Sequence, residues 1–142
     1  KKFIFYFGNE ILMNNKDIII IDGICKMCNA FFRWVHKNDK KDIFMFTNFQ
    51  SDYTSTRMDI LKDSNSIAVI LADGTVLRKI NAIKHVLKET KKFIIITLIL
   101  KILPNFISNF FYDIVANLRY FLFGKYDNCP VLDEKYKSKF LD

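Results

Sequence analysis

Punctuation is scarce in this chain. Two prolines and four glycines among 142 residues leave no low-complexity linker, so a string of separate modules is not expected. Long apolar runs are missing as well. The longest, Phe93 to Leu103 (FIIITLILKIL), contains Lys101 and is stopped by Pro104. A membrane span needs about 20 apolar residues, so this run is expected to be a buried or interfacial helix. The next segment, Asn105 to Phe123, is helical by pattern but carries Asp113 and Arg119, and it is not a span either. No internal repeat is visible. No glycine-rich nucleotide loop, paired-carboxylate hydrolase site or serine triad can be found, and no cofactor is expected. Cysteine is limited to three residues. That is compatible with a reducing compartment and does not require an oxidising one. At this length folding buries about 70% of the unfolded surface, so a core needs no disulfide staples.

What is present suits a globular domain. An apolar fraction of 51% against 26% charged residues excludes a disordered chain. The net charge of +7 permits an acidic partner, an anionic membrane or nucleic acid, but the lysines are scattered and read as a solvated surface. No nucleic-acid partner is expected. The compartment is read as intracellular, with an organelle as one option. The apolar start Phe3 to Phe7 (FIFYF) reads equally as the remainder of a targeting segment, an added strand or an ordered tail.

The hydrophobic pattern predicts alternating strands and helices. Asp17 to Asp22 (DIIIID) is a continuous β-branched run, as in a central strand buried on both faces. Lys26 to Lys37 turns helical, with Cys28, Phe31, Phe32 and Val35 on one inward face. Ile43 to Thr47 reads as a second strand, Ser51 to Lys62 as a second helix, and Ser66 to Ala72 as a third strand. Asp73-Gly74 signals a hairpin leading into a fourth strand, Thr75 to Ile80. Asn81 is the expected N-cap of a helix with Ile83, Val86 and Leu87 inward. A right-handed helical crossover should make the first two strands parallel. The expected fold is therefore α/β: a thioredoxin-like four-stranded mixed sheet flanked by helices, with a C-terminal helical extension. The divisions are 1–16 (tail or leftover targeting segment), 17–90 (thioredoxin-like domain), 91–128 (helical extension) and 129–142 (tail).

Two cysteines sit as Cys25-Lys26-Met27-Cys28, where the first strand turns into its helix after Asp22 and Gly23. A C-x-x-C at that junction of a βαβ unit reads as a redox motif. Cys25 at a helix N-terminus meets unpaired N–H groups and the positive end of the dipole, which favour a thiolate. Lys26 adds a neighbouring positive charge. Cys25, at the exposed mouth of the helix, is expected to be the nucleophile, and Cys28, turned inward, the resolving thiol. Asp22 reads equally as a strand-end residue satisfying backbone N–H groups and as a carboxylate that accepts the Cys28 proton. A zinc site lacks a second cysteine pair, and no spacing unites Cys129, His36 and His85, so no metal is expected. Cys129 reads as a surface cysteine rather than a third redox thiol, His36 and His85 as surface residues, and Phe31, Phe32 and Trp34 as core.

Asp22-Gly23-Ile24-Cys25-Lys26-Met27-Cys28 resembles the signature of the DCC family of thiol-disulfide oxidoreductases. Tyr112 to Gly124 (YDIVANLRYFLFG) resembles that family's C-terminal helix motif, and Cys129-Pro130 the cysteine often found after it. The resemblance runs from Asp17 to Pro130 and implies a thioredoxin-like fold with dithiol-disulfide chemistry. It assigns the redox role to Cys25 and Cys28 and a supporting one to Asp22. Ordinary thioredoxins set a cis-proline against the dithiol; here the corresponding Asn65-Ser66-Ile67 has none, which removes their usual substrate groove. Arg119 of the C-terminal motif reads first as a packed residue needing Asp22 or Asp113 as partner, and second as a group stabilising the thiolate. The expected function is a thiol-disulfide oxidoreductase acting on a protein or small-molecule thiol or disulfide. The alternative is a non-catalytic thioredoxin-like subunit docked through its C-terminal helices in a larger, membrane-associated or organellar assembly.

Overall fold

A computed structural model of the chain describes residues 15–56, 66–128, 130 and 133–141. The elements run β1 (Asp17–Ile21), α1 (Lys26–Asn38), β2 (Phe44–Asn48), α2 (Asp52–Ser55), β3 (Ala68–Ile70), β4 (Val76–Arg78), α3 (Lys79–Thr90), α4 (Ile94–Ile102), α5 (Asn105–Phe123) and α6 (Glu134–Lys137). The sheet order is β2-β1-β3-β4. β1 runs parallel to β2 and antiparallel to β3, and β4 returns antiparallel to β3. This is the expected thioredoxin-like mixed sheet with a C-terminal helical extension.

β1 is central because both of its faces are apolar. Ile19 and Ile21 pack with Phe32 and Val35 of α1, Phe46, Val69 and Val86. Ile18 and Ile20 point the other way, toward Ala68, Met45 and Tyr53. The inner face of α1 is Asn29, Phe32 and Val35, while Cys28 and Phe31 lie at its half-buried margin. The turn after β3 is a tight hairpin closed by Gly74 N–H donating to the Leu71 carbonyl at 2.8 Å. Gly74 has φ +89°, a conformation that favours glycine. The predicted helix 51–62 is seen as α2, capped by Ser51; its remainder, the FIFYF start and Cys129 lie outside the described residues.

The start of α3 differs from expectation. The helix begins at Lys79, two residues before Asn81, and its flanking residue Arg78 makes no side-chain cap. The Ile80 N–H is instead taken by Asn109 Oδ1 of α5 at 3.4 Å. A cap supplied from a distant helix is invisible to local sequence reading. His85 also departs from the surface reading. It is half-buried, with Nε2 at 2.6 Å from Asp17 Oδ2. His36 is likewise half-buried, edge-on to Tyr136 at 4.9 Å between ring centroids.

The stretch read as a tail returns to the sheet. Phe46 N–H donates to the Lys139 carbonyl at 2.8 Å, and Leu141 N–H to the Phe46 carbonyl at 2.7 Å. Tyr136 joins the core against Phe32, ring centroids 5.0 Å apart. Tyr136→Ala is expected to lower unfolding free energy by about 2–3 kcal/mol, read from urea unfolding; no change in midpoint would mean that this segment is not part of the cooperative unit.

α5 is tied to α3 by Lys84 to Asn105 at 2.7 Å and Lys79 to Asp113 at 2.9 Å. Its burial is inverted. The residues it buries are Ser108 and Arg119, while Phe106, Phe110, Phe111 and Phe121 are exposed.

Candidate active site

The site begins at the end of β1, where the chain turns through Asp22, Gly23 and Ile24. Asp22 Oδ1 accepts the Ile24 N–H at 3.2 Å, and the Cys25 N–H donates to the Asp22 carbonyl at 3.2 Å. Gly23 is pinned on both sides. Its N–H goes to Gln50 Oε1 at 2.9 Å, and its carbonyl accepts from Asn29 Nδ2 at 2.8 Å. Asn29 also donates to the Cys25 carbonyl at 3.0 Å. This lattice of short contacts fixes Cys25 as the N-cap of α1. Its sulfur accepts the Cys28 N–H at 3.3 Å, where a serine or aspartate oxygen usually sits.

Both cysteines are free thiols, and their environments drive them apart. Cys25 is lowered from 9.0 to about 6. The largest cause is the hydrogen bond from the Cys28 side chain. Burial opposes it, and the Cys28 backbone N–H and the Arg119 charge reinforce it. Cys28 is held far above the ordinary thiol range, first by its hydrogen bond to Cys25, then by burial and the Cys25 charge. The pair therefore holds one thiolate and one thiol sharing a proton-mediated contact.

Accessibility contradicts the expectation of an exposed Cys25. Cys25 is fully buried, at 0% exposure. The chain leaving α5 covers it: Cys25 forms an antiparallel bridge with Lys125, and Tyr126 N–H donates to the Ile24 carbonyl at 2.8 Å. Gly124 ends α5 with φ +80°, which starts this return. Cys28 is the more accessible of the two. It lines an apolar cavity of about 450 Å³ walled by α1, the approach to β3, α3, α4 and α5.

Arg119 reaches the site from α5. Its Nη2 lies 3.1 Å from Asp22 Oδ2, with both side chains over nine-tenths buried. Tyr120 O–H donates to the same oxygen, and Arg119 stacks on the Tyr120 ring at 4.5 Å. Burial alone would lower the Arg119 pKa, but its hydrogen bonds to Asp22 and Tyr120 hold it above the ordinary value. Its charge lowers both thiols. Lys26 departs from expectation. Its ammonium sits over the Tyr126 ring at 5.4 Å, and Arg119 is the cation that lowers Cys25. A flexible exposed chain finds the aromatic face more readily than the buried sulfur.

Sequence reading brought Asp22, Cys25, Cys28 and Arg119 together and missed four participants. Asn29 and Gln50 hold the turn. Tyr120 shares Asp22. Tyr112 accepts the Ile67 N–H at 2.9 Å, next to the position where a cis-proline was absent. Asn29 carried a signal, a polar residue beside the inward face of α1; Gln50 carried none. Among the described residues no group of three His, Cys, Asp or Glu side chains converges as a metal site requires.

Comparison with known proteins places the sequence in a family. Residues 19–125 match the family described as DCC1-like thiol-disulfide oxidoreductase. The chain is 26% identical over 134 residues to the uncharacterized protein YuxK of Bacillus subtilis (strain 168), covering 87% of this chain and 93% of that one. It is 28% identical over 122 residues to a chloroplastic DCC family protein of Arabidopsis thaliana, covering 83% and 71% respectively. No solved structure matches it.

Proposed function

The chain belongs to the DCC1-like thiol-disulfide oxidoreductase family, and from that premise we propose that it exchanges a Cys25–Cys28 disulfide with a thiol or disulfide substrate. The observation that carries this reading is the geometry of the pair: Cys25 caps α1 with its sulfur, which accepts the Cys28 N–H at 3.3 Å, and this contact favours a Cys25 thiolate. Cys25 attacks a substrate disulfide, forming a mixed disulfide and releasing one thiolate. Cys28 then attacks the Cys25 sulfur, closing the internal disulfide and expelling the second substrate thiolate. Asp22 has both oxygens engaged, by the Ile24 N–H and Gln50 on one side and by Arg119 and Tyr120 on the other. Its role is therefore to position Arg119 beside the sulfurs, in place of taking the Cys28 proton. Gly23 keeps the turn compact.

The titration of Cys25 tests the assignment. Its ultraviolet thiolate absorbance should appear with a midpoint near pH 6 and vanish in Cys25→Ser. A midpoint at the ordinary 9.0 would remove the basis for a nucleophilic Cys25. The same shift has a stability sign. Because folding lowers this pKa, the stabilisation it brings is full above about 9.0 and lost as pH falls through about 6. The reduced chain should therefore gain stability between these two values, and the Cys25→Ser chain should gain less.

A docking role stands beside the chemistry. Among the described residues, every large hydrophobic that is exposed lies between Phe93 and Phe123. No described helix is long and apolar enough to cross a membrane. Lys91, Lys92, Lys101 and Lys125 flank this face and are exposed, while its one acid, Asp113, is paired with Lys79. Apolar side chains flanked by exposed lysines suit the interface of an anionic bilayer. The full chain should float with vesicles containing phosphatidylglycerol, less with phosphatidylcholine alone, and lose binding as salt rises. Equal binding to both, or burial of the face in a stable homo-oligomer, would count against a lipid partner.

A further inference from the structure

The cavity beside Cys28 has the size of a small-molecule site. Its walls are dominated by apolar side chains, including Met27, Phe31, Ile67, Leu103 and Phe111. At about 450 Å³ it falls in the range that holds small organic ligands, roughly 300–1,000 Å³. Cys28 is its sulfur. Cys25, by contrast, is covered by the strand-like return at Lys125, so a polypeptide disulfide has no direct approach to it in this conformation.

The hydroxyls of Ser66, Ser108 and Tyr112 break the apolar lining, with the Asp22–Arg119 pair at its edge. Ser108 also lines the cavity, is 3% exposed, and its Oγ finds no hydrogen-bond partner. A serine in a helix ordinarily returns its proton to a carbonyl one turn back; this one does not. A buried hydroxyl left unpartnered is costly, which marks it as a group awaiting an acceptor. Tyr112 follows one turn later on the same face of α5. It accepts the Ile67 N–H, which leaves its own proton to donate. Ser108 and Tyr112 as donors in a largely apolar chamber call for a lipophilic molecule with carbonyl-type oxygens. An alkyl disulfide offers only weakly accepting sulfurs.

We propose that this cavity binds a lipophilic quinone, which takes two electrons from the Cys25–Cys28 dithiol. This role presupposes the redox reading of the pair. The sulfur–sulfur bond forms, the one proton held by Cys28 is released, and water supplies the second proton that the quinone takes up. The quinone gains two electrons and two protons, one on each oxygen, and leaves as the hydroquinone. Ser108 and Tyr112 hold the quinone oxygens, and Cys28 is the sulfur next to the ring. The apolar face of α4 and α5, which contributes Leu100, Leu103 and Phe111 to the cavity, leads from the lysine-flanked surface to the dithiol.

The single tryptophan reports on the site. Trp34 stacks on the cavity residue Phe31, ring centroids 6.1 Å apart, and quinones quench indole fluorescence. In the full-length Cys25→Ser/Cys28→Ser chain, which cannot react, a benzoquinone carrying a decyl tail should quench Trp34 saturably. The tail-less benzoquinone should need at least about tenfold more, because each buried methylene adds about 0.8 kcal/mol. Ser108→Ala should raise the half-saturating concentration about fivefold, the loss of one hydrogen bond. In the reduced wild-type chain the tailed quinone should yield the Cys25–Cys28 disulfide with an equal amount of hydroquinone. Non-saturable quenching, equal response to both quinones, or binding without disulfide formation would overturn this role. If hydroxyethyl disulfide oxidises the pair while the tailed quinone neither binds nor oxidises it, the quinone role fails and the exchange reading stands. If neither reagent forms the disulfide, the exchange reading fails and this role with it.

Discussion

Replacing Asp22 by asparagine is expected to destabilise the fold by about 3–5 kcal/mol. The carboxylate and the Arg119 guanidinium are each less than one-tenth exposed, so removing the negative partner leaves a buried cation without compensation. Tyr120 loses its acceptor at the same time. Arg119→Met alone should be costly for the mirror-image reason. The double variant Asp22→Asn/Arg119→Met should recover much of the loss, since a buried pair replaced as a unit is often close to neutral. Urea unfolding of the four chains of this cycle gives the coupling energy. Additive effects would show that the two side chains do not depend on each other. The cycle has a second readout that a purely structural pair would leave still. Arg119 lowers Cys25 and Asp22 raises it, so Arg119→Met should move the Cys25 midpoint upward and Asp22→Asn should move it downward.

The second large effect concerns the two sulfurs. Cys28→Ser should accumulate a mixed disulfide through Cys25 when treated with hydroxyethyl disulfide, because the resolving thiol is gone. Cys25→Ser should lose exchange on the order of a hundredfold or more near pH 7, where an ordinary thiol is ionised only to a few per cent. In the native pair Cys28 is further suppressed by its burial and its hydrogen bond. Mass spectrometry of the trapped species decides between the sulfurs. Equal trapping through Cys28 in the Cys25→Ser chain would reverse the assignment. The burial of Cys25 adds a condition: attack on an external disulfide requires the Lys125–Tyr126 return to move aside. Tyr126→Gly, which removes the ring under Lys26 and frees the backbone of the return, should speed trapping through Cys25 without raising the Cys25 midpoint, because the burial it relieves is a cause that raises it.

The order of strands and helices was legible in the residues themselves. A run of four isoleucines in Asp17–Ile21 has nowhere to go but the middle of a sheet, and a cysteine pair immediately after it falls at the start of the crossover helix. Those are local facts of periodicity and of helix termini, and they determined the fold class, the parallel first pair and the place of the dithiol. The partner of Arg119 was narrowed to two aspartates and no further, since 97 residues separate it from Asp22 and only packing brings them together. The cap of α3 was misplaced for the same reason: Asn109 of α5 displaced the local candidate Asn81. Lys26 was expected beside the sulfur because it is adjacent in sequence, but a side chain's direction follows its helix face and its aromatic neighbour. The exposure of the two cysteines was decided by tertiary structure alone. Cys25 is at the mouth of its helix, as the pattern requires, yet the chain returning from Gly124 closes over it, and the cavity walled by α4 and α5 opens onto Cys28 instead. Sequence periodicity describes one element at a time; which sulfur meets the outside depends on how the last helices lie across the first.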